Sequence, residues 1–270
     1  MQTIEARGFR IPAVGLGTWT LRGRDCARLV EQAIRIGYRH IDSAQMYENE
    51  REVGEGVRAS GLRAEVMVTT KVQPSLLSPP DLERSVKESL AKLRLDVIDL
   101  LLIHWPNPRV PLAETLGAMA KVKSAGYVRA LGVSNFTVAL LDEATKIVSD
   151  LVCNQIEYHP FLDQDKVAAA CRRLGLALVA YSPIARGGAT GDKVLEGIGR
   201  AHGKTAAQVS LRWLVQQGVV VIPRTSKIER LEENLTIFDF ELSDAEMKEI
   251  AGLARSGGRI VDWTWSPKWD

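Results

Sequence analysis

Short runs rich in valine, isoleucine and leucine recur along the chain, and each is followed by a segment whose apolar positions repeat at helical spacing. The runs cover residues 14–16, 38–41, 66–69, 97–103, 128–133, 151–156, 176–181 and 219–222. Between them lie amphipathic stretches such as ARLVEQAIRIG, DLERSVKESLAKL, AETLGAMAKVKSAG and DKVAAACRRLG. Gly37, Gly126 and Gly175 close several of these, where a helix end favours a left-handed residue. Asp81, Thr137 and Ser243 are candidate N-caps, the last with Glu246 placed for a capping box. Strand alternating with helix eight times predicts an α/β chain folded as a (β/α)8 TIM barrel. The longest interval, between the last two runs, holds a glycine-rich stretch and DKVLEGIGRAHG, which predicts a loop and an extra helix. No linker or low-complexity segment interrupts the pattern, so residues 1–270 read as one barrel domain with a short aromatic C-terminal tail.

A doubly wound sheet is the rival architecture. It would use fewer strands and usually carries G-x-G-x-x-G after the first. Gly15 and Gly17 give only G-L-G-T-W, with no third glycine and no helix directly behind. The pair predicts a tight turn or a close approach of backbones.

Composition narrows the function classes. A chain of 270 residues that is 46% hydrophobic can bury a large core. The net charge is +2 with no strongly basic or acidic block, so no nucleic-acid partner is expected. The opening MQTIEARGFRIPAVGLGTW has no signal-peptide core, and VIDLLLIHW is interrupted by Asp99 and His104. A soluble cytoplasmic protein without a membrane partner is expected. Cys26, Cys153 and Cys171 are odd in number and form no C-x-x-C, which predicts buried thiols rather than zinc ligands or disulfides. The four histidines (His40, His104, His159, His202) form no cluster, so no metal is expected.

A barrel of this kind works at the C-terminal ends of its strands. Residues unusual for a core gather there: Asp42 after the second run, Lys71 after the third, His104 after the fourth, and Ser134 and Asn135 after the fifth. Asn154, Gln155 and Glu157 close the sixth, Tyr181 and Ser182 the seventh, and Arg224 follows the eighth. Each alone has a plainer explanation. Asp42 fits a helix cap, Lys71 a solvated loop, His104 a satisfied core position, and Tyr47 packing on the loop. Together an acid, a lysine, a histidine and a tyrosine make a coherent proton donor. A free tyrosine titrates near ~10. An ammonium beside Tyr47 would lower that value, and Asp42 would hold Lys71 charged and oriented. His104 would then hydrogen-bond a substrate carbonyl oxygen beside the Tyr47 hydroxyl, giving general-acid catalysis with electrophilic assistance.

With these positions in view, the sequence resembles the aldo-keto reductases over nearly its whole length. The matching stretches are GLGTW (15–19), IDSAQMYENEREVG (41–54), TTK (69–71), LLIHWP (101–106), GVSNF (132–136), NQIEYHP (154–160), YSPI (181–184) and IPRTSKIERLEENL (222–235). The ending SPKWD is similar to that of the bacterial diketogluconate reductase B subgroup. The resemblance implies a catalytic tetrad of Asp42, Tyr47, Lys71 and His104. It implies NADPH bound in an extended pose without a Rossmann domain. Asp42 and the pair Thr18 and Trp19 would lie along its ribose and ring, while Ser134, Asn135 and Gln155 would bond the nicotinamide amide. Tyr181 would stack on the ring, and Ser182, Pro183 and Ile184 would approach the pyrophosphate. Arg224, Thr225, Ser226, Arg230, Glu233 and Asn234 would hold the adenosine end. Arg224 stands where the family usually has lysine, which keeps the charge and changes reach and geometry. Trp19, Tyr47, His104 and Trp105 would face a small carbonyl substrate, and a monomer is expected.

Three open points remain in the sequence. The glycine-rich SPIARGGATGDK is a belt over the cofactor or simply a flexible loop. The tail with Trp263, Trp265 and Trp269 folds over the barrel mouth or against an outer helix, and Trp213 belongs to the core. A barrel that binds NADPH without turnover is the alternative function, and the full tetrad argues against it.

Overall fold

The structure is a computed structural model that describes residues 2–270. The chain begins with β1 (Thr3–Ala6) and β2 (Phe9–Pro12), followed by β3 (Leu16–Gly17), α1 (Gly23–Ile36), β4 (His40–Asp42) and α2 (Glu50–Ala59). Next come β5 (Met67–Val72), α3 (Pro79–Leu93), β6 (Ile98–Ile103), α4 (Leu112–Ser124), β7 (Val128–Ser134) and α5 (Val138–Ile147). The second half holds β8 (Leu151–Glu157), α6 (Asp165–Leu174), β9 (Ala177–Tyr181), α7 (Lys193–His202) and α8 (Ala206–Gln216). It ends with β10 (Val220–Val221), α9 (Glu229–Leu235), α10 (Asp244–Ala251) and the tail. The extra helix expected in the long interval is α7.

Helix α1 shows why the alternation folds as it does. Cys26, Leu29, Val30, Ala33 and Ile34 are spaced to form one stripe, and all are buried. Gly37 then ends the helix at φ 130°, and its N–H bonds the carbonyls of Ala33 and Ile34. Gly175 closes α6 in the left-handed region, and Gly126, at φ 81°, lies one residue past Ala125, the C-cap of α4. Thr137 and Ser243 cap α5 and α10 as expected, Ser243 in a reciprocal box with Glu246. Asp81 is not a cap. Pro79 opens α3, because its missing N–H costs nothing at the first helical position, so Ser78 is the N-cap residue and Asp81 lies in the first turn.

Strands β3 to β10 form one parallel sheet in sequence order. The sheet closes on itself. Gly15 N donates to Val221 O at 2.8 Å, Val221 N to Ala13 O at 2.9 Å, and Gly17 N to Pro223 O at 3.1 Å. At this seam Gly17 gives the close backbone approach read from the sequence, since a Cβ there would lie 2.8 Å from Ile222 O, whereas a Cβ on Gly15 would meet the His40 side chain, 2.6 Å from Nδ1. The (β/α)8 barrel is therefore the observed fold.

The N-terminal hairpin has no counterpart in the sequence reading. Strands β1 and β2 pair antiparallel around the two-residue turn Arg7–Gly8, both at positive φ, which matches the twist of a tight hairpin. Ile11 and Ala6 from this hairpin pack with the barrel interior formed by Leu100, Leu102, Val152 and Val220. Register then sets the opposite end. Gly17 pairs with Asp42, Ser134 with Gln155, and Glu157 with Tyr181, so the unusual residues finish at one level. The three cysteines are free and buried, and burial raises the thiols of Cys26 and Cys171 to about 12. Among the described residues no helix is long and apolar enough to cross a membrane.

Candidate active site

Asp42 ends β4, and a single helical turn at Gln45–Tyr47 immediately follows. That turn is pinned by its own polar residues. Gln45 donates to Ser89 Oγ at 3.1 Å and accepts from Gln73 N at 3.0 Å. Arg22 donates to the Tyr47 carbonyl. Asn49 accepts from Ser43 Oγ and donates to the carbonyls of Thr18 and Leu21. Tyr47 is thus returned to the strand end it has just left.

Lys71, the fifth residue of β5, meets it there. Its Nζ donates to Asp42 Oδ1 at 2.5 Å, Ser43 O at 2.7 Å and Tyr47 OH at 3.2 Å. All three ammonium protons therefore have acceptors, as a wholly buried lysine requires. Asp42 Oδ2 accepts from Gln155 Nε2 at 2.8 Å. The His104 ring stands edge-on to the Tyr47 ring, with centroids 5.6 Å apart. Its Nδ1 is buried without a partner, which leaves Nε2 as the nitrogen able to meet a ligand. Asp42, Lys71 and His104, read from three strand ends, and Tyr47, read from the loop after the first of them, form one cluster.

Protonation follows from burial. Desolvation, with a smaller contribution from the Lys71 ammonium, holds His104 well below its ordinary range, so the imidazole is neutral at neutral pH. Burial also lowers Lys71, and the charge and hydrogen bond of Asp42 act against it. Tyr47 corrects the sequence reading. Burial of the phenol and the Asp42 charge hold it well above its ordinary value, instead of Lys71 drawing it down. The phenol keeps its proton, with the ammonium placed to support the phenolate once that proton leaves.

These groups open into a cavity of about 480 Å³. Of the residues expected at the site, Trp19, Asp42, Tyr47, His104, Trp105, Asn135, Gln155, Tyr181, Ser182, Pro183, Ile184 and Arg224 line it. Thr18, Lys71 and Ser134 stand just behind, fully buried. Thr18 Oγ1 donates to Asp42 O, and Ser134 Oγ to Gln155 O. Asn135 bridges the strands, donating to His104 O at 3.0 Å and accepting from Tyr181 OH at 2.8 Å. Thr225, Ser226, Arg230, Glu233 and Asn234 are not among the lining residues; they continue from Arg224 along the loop and α9. Arg230 there is paired with Glu233 at 2.6 Å, and Asn234 is buried.

The sequence reading missed several cavity residues. Arg186 lies in the glycine-rich stretch, and its guanidinium sits 4.5 Å from the Trp19 ring centre. Val261 and Trp263 come from the tail, which folds over the mouth. Trp265 and Trp269 meet Trp105 edge-on, at 5.2 and 6.0 Å between ring centres. The final residue reaches a helix as well, where the Asp270 carboxylate accepts from Val138 N at the start of α5. Trp213 is buried against Tyr158, as expected of a core residue. Among the described residues, four of the eight non-glycine positions at positive φ (Thr20, Asn135, Ser182 and Arg186) line the cavity, so strained backbone is concentrated there.

The donor set suits an extended, anionic, flat-ringed ligand. The cavity offers a tyrosine face, amide groups from Asn135 and Gln155, and two guanidinium groups, Arg186 and Arg224. Its one carboxylate, Asp42, is already neutralised by Lys71. The aldo/keto reductase family model matches residues 13–255 of this sequence. The chain belongs to the aldo/keto reductase family. Relatives within the family agree in length. A methylglyoxal reductase DkgB of Yersinia pestis is 40% identical, over 96% of this chain and 99% of its own. A morphine 6-dehydrogenase of Pseudomonas putida is 41% identical, over 91% of this chain and 88% of its own. A crystal structure whose proposed identity is 2,5-diketo-D-gluconic acid reductase B superposes with a TM-score of 0.98 at 47% identity, covering 100% of this chain and 98% of that one. The chain is accordingly an oxidoreductase of aldo-keto reductase type.

Proposed function

We propose that this aldo-keto reductase uses NADPH to reduce aldehydes and ketones to alcohols, with small aldehydes, 2-oxoaldehydes and keto-sugar acids as substrates. The observation that carries the reading is the Lys71 ammonium bonded at once to the Asp42 carboxylate and the Tyr47 hydroxyl. When bound, NADPH supplies the hydride that adds to the carbonyl carbon. Tyr47 donates its proton to the oxygen as negative charge builds there, which completes the alcohol. Lys71 stabilises the phenolate left behind, and Asp42 holds Lys71 in place. Neutral His104 orients and polarises the carbonyl oxygen from the other side. Tyr181 offers its ring to the nicotinamide, and Asn135 and Gln155 offer amide partners. Arg224, with Arg230, Thr225, Ser226, Glu233 and Asn234 beyond it, recognises the adenosine 2′-phosphate. Residues 1–270 work as one domain around this cavity, as a cytoplasmic monomer.

NADPH consumption in the presence of methylglyoxal, a keto-sugar acid and a set of aromatic aldehydes tests the reading, with NADH in parallel. Turnover of at least one carbonyl, faster with NADPH, is the expected result. Tight NADPH binding with no turnover of any carbonyl would replace it with the non-catalytic barrel.

A further inference from the structure

Glu157 is a fully buried carboxylate with no part in the chemistry above. It ends β8, two residues after Gln155, and its side chain carries three hydrogen bonds. His159 Nε2 lies 3.0 Å from Oε1, Ile260 N donates to Oε1 at 2.6 Å, and Val261 N donates to Oε2 at 2.7 Å. Two successive backbone N–H groups of the tail are thus gripped by one carboxylate, a charge-assisted arrangement stronger than neutral pairing. Burial works against the charge, but the bonds from His159, Ile260 and Val261 outweigh it and hold the carboxyl below its ordinary value.

The tail approaches this grip along a matching surface. Arg255 N donates to Phe161 O at 3.3 Å, and its guanidinium lies 4.8 Å from the Phe161 ring centre. Gly258 runs so close to the same carbonyl that a Cβ there would lie 1.8 Å from it. Directly after the grip, Val261 and Trp263 enter the cavity wall. Beyond it the chain turns at Trp263–Ser266, where Ser266 N donates to Trp263 O. Trp263 is half exposed and touches its neighbour Trp265 by ring stacking, with centres 6.1 Å apart. An indole so open has little packing of its own to fix its position.

We infer that Glu157 is a positioning residue for substrate selection: its carboxylate anchors the tail at Ile260 and Val261 and so sets Val261 and Trp263 as one wall of the carbonyl site. This rests on reading the cavity as the site of carbonyl reduction. A large aromatic carbonyl needs that wall, whereas a three-carbon substrate held between Tyr47 and His104 does not.

The test compares wild type, Glu157→Gln and Trp263→Ala with methylglyoxal and 2-naphthaldehyde as substrates, and follows amide exchange in the tail. In wild type the amides of residues 260 and 261 are protected. In Glu157→Gln, where one acceptor oxygen becomes an NH₂, their exchange accelerates at least tenfold. KM for 2-naphthaldehyde rises about tenfold, while kcat for methylglyoxal and NADPH affinity stay within about threefold. Trp263→Ala, at an exposed position that folding tolerates, reproduces the kinetic change and leaves residues 260 and 261 protected. Unprotected amides in wild type would overturn the anchor even if Glu157→Gln failed to fold. An unchanged substrate ratio in Trp263→Ala would overturn the wall. Equal loss on both substrates in Glu157→Gln would reduce Glu157 to general support of the barrel. Wild type inert toward every carbonyl would instead refute the reductase reading and leave the anchor to be judged by exchange.

Discussion

Replacing Tyr47 by phenylalanine removes one oxygen from the cluster, and the structure separates what that costs in stability from what it costs in rate. The lost hydroxyl accepts one hydrogen bond, from Lys71 at 3.2 Å. The ammonium keeps Asp42 and Ser43 O as partners, and the phenyl ring keeps its edge contact with His104. A single hydrogen bond of this kind contributes about 1 kcal/mol, so the fold survives nearly unchanged. On the proposed reading the chemical step loses its general acid, which is worth about 10²- to 10⁴-fold, or about 3–5 kcal/mol of barrier. His104 cannot substitute, because burial and the Lys71 charge keep it neutral and hence a weak donor. Single-turnover measurement of NADPH oxidation at saturating carbonyl reads the step directly, and titration of NADPH fluorescence reads binding. The expected outcome is a rate at least a hundredfold down with cofactor affinity within about threefold. A variant within tenfold of wild type would remove Tyr47 as the acid.

Three other outcomes are expected. Arg224→Ser weakens NADPH by about tenfold to a hundredfold and leaves NADH within about threefold, read by fluorescence titration, since a charge-assisted contact to the 2′-phosphate is worth about 1.5–3 kcal/mol; equal loss for both would deny Arg224 that contact. His40 is held down to about 4 by burial, with Asp42 opposing and Lys71 adding to the effect. The unfolded chain therefore takes up its proton first as pH falls below about 6.5, and stability drops by about 1.4 kcal/mol per unit toward about pH 4 for this one group. Urea unfolding of His40→Gln across that range gives a shallower acid slope than wild type, and identical slopes would contradict the assignment. Hydrogen exchange in residues 182–193 slows when NADPH binds, if the glycine-rich stretch closes as a belt; unchanged exchange would make it a plain loop.

The sequence carried the barrel because its information is periodic. Each apolar run is too short to be anything but a buried strand, and stripes such as the one on α1 leave one face for the core. The tetrad was legible for a related reason: barrel topology sends the residue after each run to the same end, so Asp42, Lys71 and His104 had to converge. What the sequence did not reveal depends on contacts between distant segments. Arg7–Gly8 is a weak hairpin signal beside Asn-Gly, so the plug formed by β1 and β2 was invisible. Asp81 looked like a cap because capping chemistry is local, while the two prolines that start α3 one turn earlier decide the boundary. The direction of the Tyr47 shift could not be read because it turns on burial, and a spacing of five residues from Asp42 says nothing about that. Arg186, Val261 and Trp263 reach the cavity only through the path of two irregular segments. Glu157 was marked as a strand-end residue, but the tail amides it holds, Ile260 and Val261, lie more than a hundred residues away.

The seam between β3 and β10 has a consequence for how the molecule is made. Gly15 donates to Val221 across most of the chain, and both seam strands are only two residues long. During synthesis the first strand leaves the ribosome long before its last partner exists, and a cylinder missing that stave is an open sheet with two unsatisfied margins. The brevity of those margins limits what a neighbouring nascent chain can zip onto. Closure therefore waits for the final fifth of the polypeptide, which carries β10.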